Sequence, residues 1–117
     1  MGLYSKGEIK MLEKRLGKID FAEFGTVRDY PFLIGLQLGF NMSGLAVMDS
    51  GNTINISPGC RWETQERETA ITTMVENVNN ILKDAKVSYV SQLINKPVEV
   101  TLENNCFKDF RILTEVL

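Results

Sequence analysis

No histidine occurs anywhere in the 117 residues. Histidine is the usual general base near neutral pH and the commonest metal ligand. The substitutes are thin as well. Only two cysteines are present, Cys60 and Cys106, far apart and without a CxxC partner, so the usual zinc patterns are missing. There is no GxSxG, Walker loop or HExxH motif. The scattered carboxylates Asp20, Glu23, Asp29 and Asp49 show no spacing that selects a catalytic pair. No excess of positive charge exists either: 13 Lys and Arg against 15 Asp and Glu leave a formal net charge of −2. A long nucleic acid is therefore not an expected partner, since counterion release needs a basic face. No apolar run reaches the ~20 residues a bilayer span takes, because Phe32–Phe40 is interrupted by Gly35, Gln37 and Gly39. The opening MGLYSKGEIK lacks the apolar core of a signal peptide. Two isolated cysteines suit a reducing cytoplasm and read as buried small hydrophobes, with a Cys60–Cys106 bridge as the alternative. These absences point to a cytoplasmic binding protein without membrane contact, metal, cofactor or catalytic residues.

What is present is a single domain's worth of ordinary globular sequence, 44% hydrophobic and 24% charged. Residues 5–16 place Ile9, Leu12 and Leu16 at helical spacing, with Ser5 and Glu8 as a capping box and Gly17 as a stop. This predicts a short N-terminal helical arm over 1–17, ahead of an α+β core over 18–117. From Lys18 the period becomes a mixed β pattern running to about Arg28, broken by Asp29-Tyr30-Pro31. Phe32–Phe40 reads as a second strand covered on both faces. Asn41-Met42-Ser43-Gly44 is turn chemistry, and Leu45–Met48 a third strand. Residues 49–60 read as the main loop, with a short edge strand at Thr53–Ile56.

After Trp62 comes the clearest helix. Ile71, Met74, Val75, Val78, Ile81, Leu82 and Ala85 share one face of a 3.6-residue period. Glu63, Glu66 and Glu68 crowd its start, and Lys83 and Lys86 its end, as the helix dipole favours. Ser88 is placed to cap a short turn through Val90 and Leu93. A hairpin closes the pattern: Pro97 opens one strand, Asn104-Asn105 supplies the turn, and Phe107 to Val116 returns. The expected fold is a small antiparallel sheet, an N-terminal meander plus a C-terminal hairpin, packed on one long helix, with a short N-terminal helix.

Arginines next to aromatics give the candidate binding residues. Arg28 lies beside Asp29-Tyr30 at a strand end, Arg61 beside Trp62 before the long helix, and Arg111 beside Phe110 in the last strand. A guanidinium forks onto phosphate and an indole stacks on a base. The bland alternatives are a local Arg–Asp pair, a helix staple and an edge charge. The polar side of the long helix carries Thr72, Thr73, Asn77, Asn79 and Asn80 where Lys and Glu would ordinarily stand, which suggests a face that meets a partner or ligand.

Residues 83–117, with L-x-x-K-P-V-x-V leading into a final hairpin strand, resemble small phage and prophage proteins. Together with RDYPFLIGLQLGF at residues 28–40, the chain is similar to the first type of the Thoeris anti-defence family. That resemblance implies a sponge. Its members bind cyclic ADP-ribose isomers, and in some cases cyclic trinucleotides, without cleaving them, as dimers assembled into hexamers with ligands at subunit interfaces. It implies ligand roles for Arg28, Arg61 and Arg111, with Trp62 and Phe40 as stacking candidates and Asn77 and Thr73 on the helix face. The glycine-rich turn associated with that family is reduced here to Asn41-Met42-Ser43-Gly44. The competing reading is a phage structural or protein-interaction module with no small ligand; a hydrolase using carboxylates alone is the least supported.

Overall fold

The computed structural model describes residues 11–57 and 64–117. Five strands and one long helix follow in the order β1 (Leu12–Val27), β2 (Tyr30–Met42), β3 (Leu45–Asn55), α1 (Thr64–Ala85), β4 (Pro97–Glu103) and β5 (Cys106–Ile112). A short 3-10 turn, Val90–Leu93, precedes β4, and a second, Thr114–Val116, follows β5. The strands form one antiparallel sheet in the order β3-β2-β1-β4-β5. The α+β architecture expected from the sequence, a meander and a hairpin with one long helix, is what the chain adopts.

The start of the chain departs from expectation. Residues 12–16 belong to β1 and not to a helix; the remainder of the expected helix, with its Ser5–Glu8 capping box, lies outside the described residues. β1 is a strand in two parts. Leu12 to Lys18 pair with Glu103 to Pro97 of β4, and Lys18 to Val27 pair with β2. Lys18 is the hand-over, aligned with both Asn41 and Pro97. An irregularity between Ile19 and Phe21 lets Ile19 and Ala22 both point into the core, so the strand breaks strict alternation.

The sheet curls on itself. β2 and β5 lie three strands apart, a separation of about 14 Å in a flat sheet. Yet the Phe40 ring on β2 sits 5.5 Å from Phe107 and 4.8 Å from Phe110 on β5, centroid to centroid. The inward row Leu36, Leu38, Phe40 and Met42 meets Ile19, Val98, Val100, Leu102 and Ile112 in one buried cluster. This strand order, with the helix inserted between the third and fourth strands, is the connectivity of the five-stranded OB-type barrel. Here no hydrogen-bonded ladder joins edges β3 and β5.

From Leu33 to Phe40 no residue of β2 is exposed, so the run is covered on both faces as its composition suggested, while Phe32 stays exposed. Its outward row is Leu33, Gly35, Gln37 and Gly39, where Phe21 and Met48 close over Gly39. Gly35 is required by close approach: a Cβ there would overlap the carbonyl oxygen of Asn52 on β3. Pro31 is inside β2, not a break; the turn is Arg28-Asp29, and Pro31 falls in an irregular stretch where Thr26 aligns with Ile34 and Val27 with Tyr30. No ladder donor is needed there. Most of the expected loop after Met48 is also strand. β3 continues to Asn55 through a bulge at Ser50-Gly51, where Gly51 N–H donates to Asp49 Oδ1 at 2.8 Å and Thr53 Oγ1 donates to the Ser50 carbonyl at 2.8 Å.

Along α1, the C-terminal half of the expected apolar face docks. Ala85 is fully buried, with Val78, Ile81 and Leu82 packed against the core, whereas Ile71 and Val75 stay exposed. The helix ends in a Schellman motif: Val87 N–H donates to the Leu82 carbonyl, Lys86 N–H to the Lys83 carbonyl, and Lys86 takes φ 58°. The following turn is capped from its far side. Gln92 Oε1 accepts from the backbone N–H groups of Ser88 and Tyr89, at 3.0 and 2.9 Å, so Ser88 is held by the cap and does not supply it. Asn104 and Asn105 both adopt positive φ, as a two-residue hairpin turn demands. Cys106, expected to be buried, is exposed and free at the start of β5, and Cys60 lies outside the described residues.

Candidate functional site

The curl leaves a seam between edges β3 and β5, and α1 lies alongside it. A cleft of about 430 Å³ opens there, within the ordinary range for small-ligand sites. Three elements build its walls. β3 supplies Asp49, Gly51 and Asn52; α1 supplies Asn77, Asn80, Ile81 and Asp84; β5 supplies Phe107 to Ile112. A second groove of about 260 Å³ shares Gly51, Asn52 and Asn77 and extends along the helix past Thr73 and Met74.

The polar wall follows from pairing and period. Asp49 and Asn52 align with the buried Leu38 and Leu36, so they sit on the inward face of β3, where the bulge between them turns the strand toward the seam. Asn77, Asn80, Ile81 and Asp84 recur at three- and four-residue spacing, one stripe of α1. The two walls touch where Asn77 Nδ2 donates to Asn52 Oδ1 at 3.2 Å. Each amide keeps further donors and acceptors for a guest.

The charges are mixed, and the cations are already engaged. Arg111 donates from Nη1 and Nη2 to the two Glu115 oxygens, at 3.1 and 3.0 Å, and from Nε to Glu99 Oε1 at 3.1 Å. These bonds raise the guanidinium's proton affinity further and hold the Glu115 carboxyl below its ordinary value. Lys108 Nζ lies 3.5 Å from Glu103. On the acidic side, Asp109 accepts from the Phe110 N–H and Asp49 from Gly51, while Asp84 has no ion-pair partner among the described residues. No group of three or more His, Cys, Asp or Glu positioned for a metal occurs among the described residues.

Of the residues singled out from sequence, Arg111, Asn77 and Asn80 line the cleft together, and Thr73 lines the adjoining groove. Arg28 does not join them; it is exposed in the β1–β2 turn and belongs to neither wall. Phe40 is fully buried under Phe107 and Phe110, so it cannot stack on a ligand. The curl of the sheet covers it. Arg61 and Trp62 lie outside the described residues. Sequence reading missed Asn52, Asp49, Asp84 and Lys108. The i, i+3, i+7 stripe of Asn77, Asn80 and Asp84 was the available signal for one of them. Among the described residues no helix is long and apolar enough to cross a membrane. No protein-family model, characterised protein or solved structure significantly matches this chain.

Proposed function

We propose that the chain is a non-catalytic receptor that sequesters a small nucleotide signal in the β3–α1–β5 cleft. The ligand class, cyclic ADP-ribose isomers or related cyclic nucleotides, comes from the resemblance to Thoeris anti-defence sponges. So do the phage setting, the cytoplasm of a bacterial host and the assembly as dimers built into a hexamer. The observation that carries the reading is the amide wall, Asn52, Asn77 and Asn80, flanked by Asp49 and Asp84. Such groups suit base edges and ribose hydroxyls, with acceptors for exocyclic amines and donors for ring nitrogens. Phe107 and Phe110 line the opposite side. A phosphate would meet Arg111, competing with Glu115 for the same two-pronged donor.

Sequestration without turnover agrees with a sequence that holds no histidine to act as general base. A long nucleic acid is disfavoured by the outward face of β1 and β2. There Phe21, Glu23, Gly35, Gln37 and Gly39 stand together, with the cations Lys14 and Lys18 confined to the first part of β1.

The test incubates the protein with a panel of cyclic nucleotides, then denatures it and identifies by chromatography what is released. Intact release of one class, with Asn77→Ala weakening that binding about ten-fold, supports the reading. A product that accumulates with time, or full affinity in Asn77→Ala and Asn52→Ala, refutes it. A second reading, a protein-interaction module without a small ligand, is favoured by the exposed apolar side chains Met11, Leu12 and Leu16 at one end of the sheet. Failure of the whole panel to bind would favour it.

A further inference from the structure

The first part of β1 has a partner on one side only. Leu12 to Lys18 pair with β4, while pairing with β2 begins at Lys18. The opposite edge of Leu12–Leu16 therefore carries no strand among the described residues. The direction of its backbone groups can be read from the two ends. The Met11 carbonyl accepts from Asn104 N–H at 2.9 Å, Ile19 N–H donates to the Lys96 carbonyl at 3.1 Å, and the Ile19 carbonyl accepts from Asn95 N–H at 2.7 Å. Odd-numbered residues thus turn their backbone groups toward β4. By the alternation of an antiparallel ladder, the N–H and C=O groups of Leu12, Lys14 and Leu16 face the open edge.

That edge is long and apolar on its outer face. Leu12 is 58% exposed and Leu16 67%. Exposed strand edges of this kind are normally blunted by proline, bulges or charge, because they template further pairing. Here Lys14 is the only blunting residue on the outer face.

The segment Leu12-Glu13-Lys14-Arg15-Leu16 is also complementary to itself read backwards. Set antiparallel about Lys14, Leu12 faces Leu16 of the second copy and Glu13 faces Arg15 of the second copy, each twice. In this register the outward-facing groups of Leu12, Lys14 and Leu16 meet their counterparts, which gives six N–H···O=C bonds. Glu13 and Arg15 fall at the non-hydrogen-bonded positions, where facing Cα atoms are about 4.5 Å apart and side chains are closest. The neighbouring registers of the same parity set Glu13 against Glu13 or Arg15 against Arg15. A slip of one residue faces outward backbone groups with inward ones. The remaining like pair, Lys14 with Lys14, has Glu99 and Glu103 as diagonal neighbours on β4, on the same face.

We propose that Leu12–Leu16 is a self-recognition edge, through which two copies of this chain join by antiparallel strand addition about a two-fold axis at Lys14. The product is a continuous six-stranded sheet, β5-β4-β1 on each side of the axis. In the single chain Arg15 Nε already bonds Glu13 Oε2 at 2.9 Å, so the dimer closes two exposed ion pairs into one four-charge cluster. The interface involves no residue of the nucleotide cleft, and it stands or falls independently of what that cleft binds.

Light scattering on a size-exclusion column tests it, using the full chain at tens of micromolar. Glu13→Arg and Arg15→Glu each place like charges in facing positions and are expected to dissociate this contact, halving the assembly mass. Both sites are at the surface, so circular dichroism of each variant should match the parent. Mixing the two variants in equal amounts restores opposite charges at every facing position and is expected to regenerate the parental mass as a mixed species. The double variant Glu13→Arg/Arg15→Glu should assemble by itself. Lys14→Pro removes an outward N–H without touching the ladder to β4 and should abolish pairing. A monomeric parent overturns the proposal. So does a parental mass that persists in both single variants, or a mixture that fails to reassociate.

Discussion

Phe40 decides whether the sheet truly closes over its own core. The residue is fully buried on β2, and its ring meets two rings on β5 that only the curl of the sheet can bring near. Truncating a buried phenylalanine to alanine costs about 3–5 kcal/mol, and each aromatic pair adds about 0.5–1.5 kcal/mol beyond area. We therefore expect Phe40→Ala to lose about 4 kcal/mol, a large share of the 5–15 kcal/mol that typically holds a domain. With a urea dependence of about 1–3 kcal/mol per molar, the unfolding midpoint followed by far-ultraviolet circular dichroism should fall by roughly 2 M. Tyr30→Ala is the control. That residue is 56% exposed and its ring pairs edge-on with Phe32 at 6.1 Å, so its loss should cost well under 1 kcal/mol. A double-mutant cycle between Phe40→Leu and Phe110→Leu should show coupling of about 0.5 kcal/mol or more. A midpoint shift below about 0.5 M in Phe40→Ala, with no coupling in the cycle, would mean that β2 and β5 do not meet and that the cleft beside them is misassigned.

Three further expectations follow from backbone and charge. Gly35→Ala drives a methyl into the Asn52 carbonyl of β3, and should cost about 2–3 kcal/mol in the same denaturation assay while leaving Gly25→Ala, where the space is open, within about 1 kcal/mol. Lys86→Gly relieves a left-handed residue at the helix C-terminus; after the entropy glycine adds to the unfolded chain, a net gain of about 0.5 kcal/mol and a melting point about 2–4 °C higher are expected. Glu115 is held below its ordinary carboxyl value by hydrogen bonds from Arg111. Its folded-state value is the depressed one, so its contribution is present above about pH 4.5 and disappears as pH falls through that lower value. Parent and Glu115→Gln should thus differ in melting temperature at pH 6 and converge in acid, and a constant offset across that window would refute the pairing.

Local signals carried the elements whose partners are local. The Asn104-Asn105 turn, the helix of Ile81 and Leu82 and the meander through Phe32–Phe40 depend on short-range period and turn chemistry, and they are found where the sequence put them. Residues 12–16 were misread for a definite reason. Leu12 and Leu16 are four apart, and four residues is a near-integral step of both a helix and a strand, so the spacing cannot choose between them. Asp49–Asn55 looked like loop because its polar residues line a cleft on the inward face of an edge strand, a position that has no signature in the chain itself. The cleft was half legible. The helix amides announced a special face, but Asn52 and the β5 wall reach it only through strand order and curl. Phe40 was lost to the same long-range geometry.

The two-part β1 also governs the order in which the molecule can come into being. The partners of Leu12 to Lys18 lie about 80–90 positions further along the chain. On a ribosome, β1, β2 and β3 can pair as soon as they emerge, but Phe40, Leu38 and Leu36 then face an empty groove. It stays empty until β4 and β5 have been made and have found the waiting end of β1. Contacts of such span form slowly, because loop closure must be met before any burial is returned. During that interval a free edge and an apolar trough are displayed together on every nascent chain, at the high local concentration of a polysome. Folding of this protein should thus depend more steeply on chain concentration than its final stability would suggest.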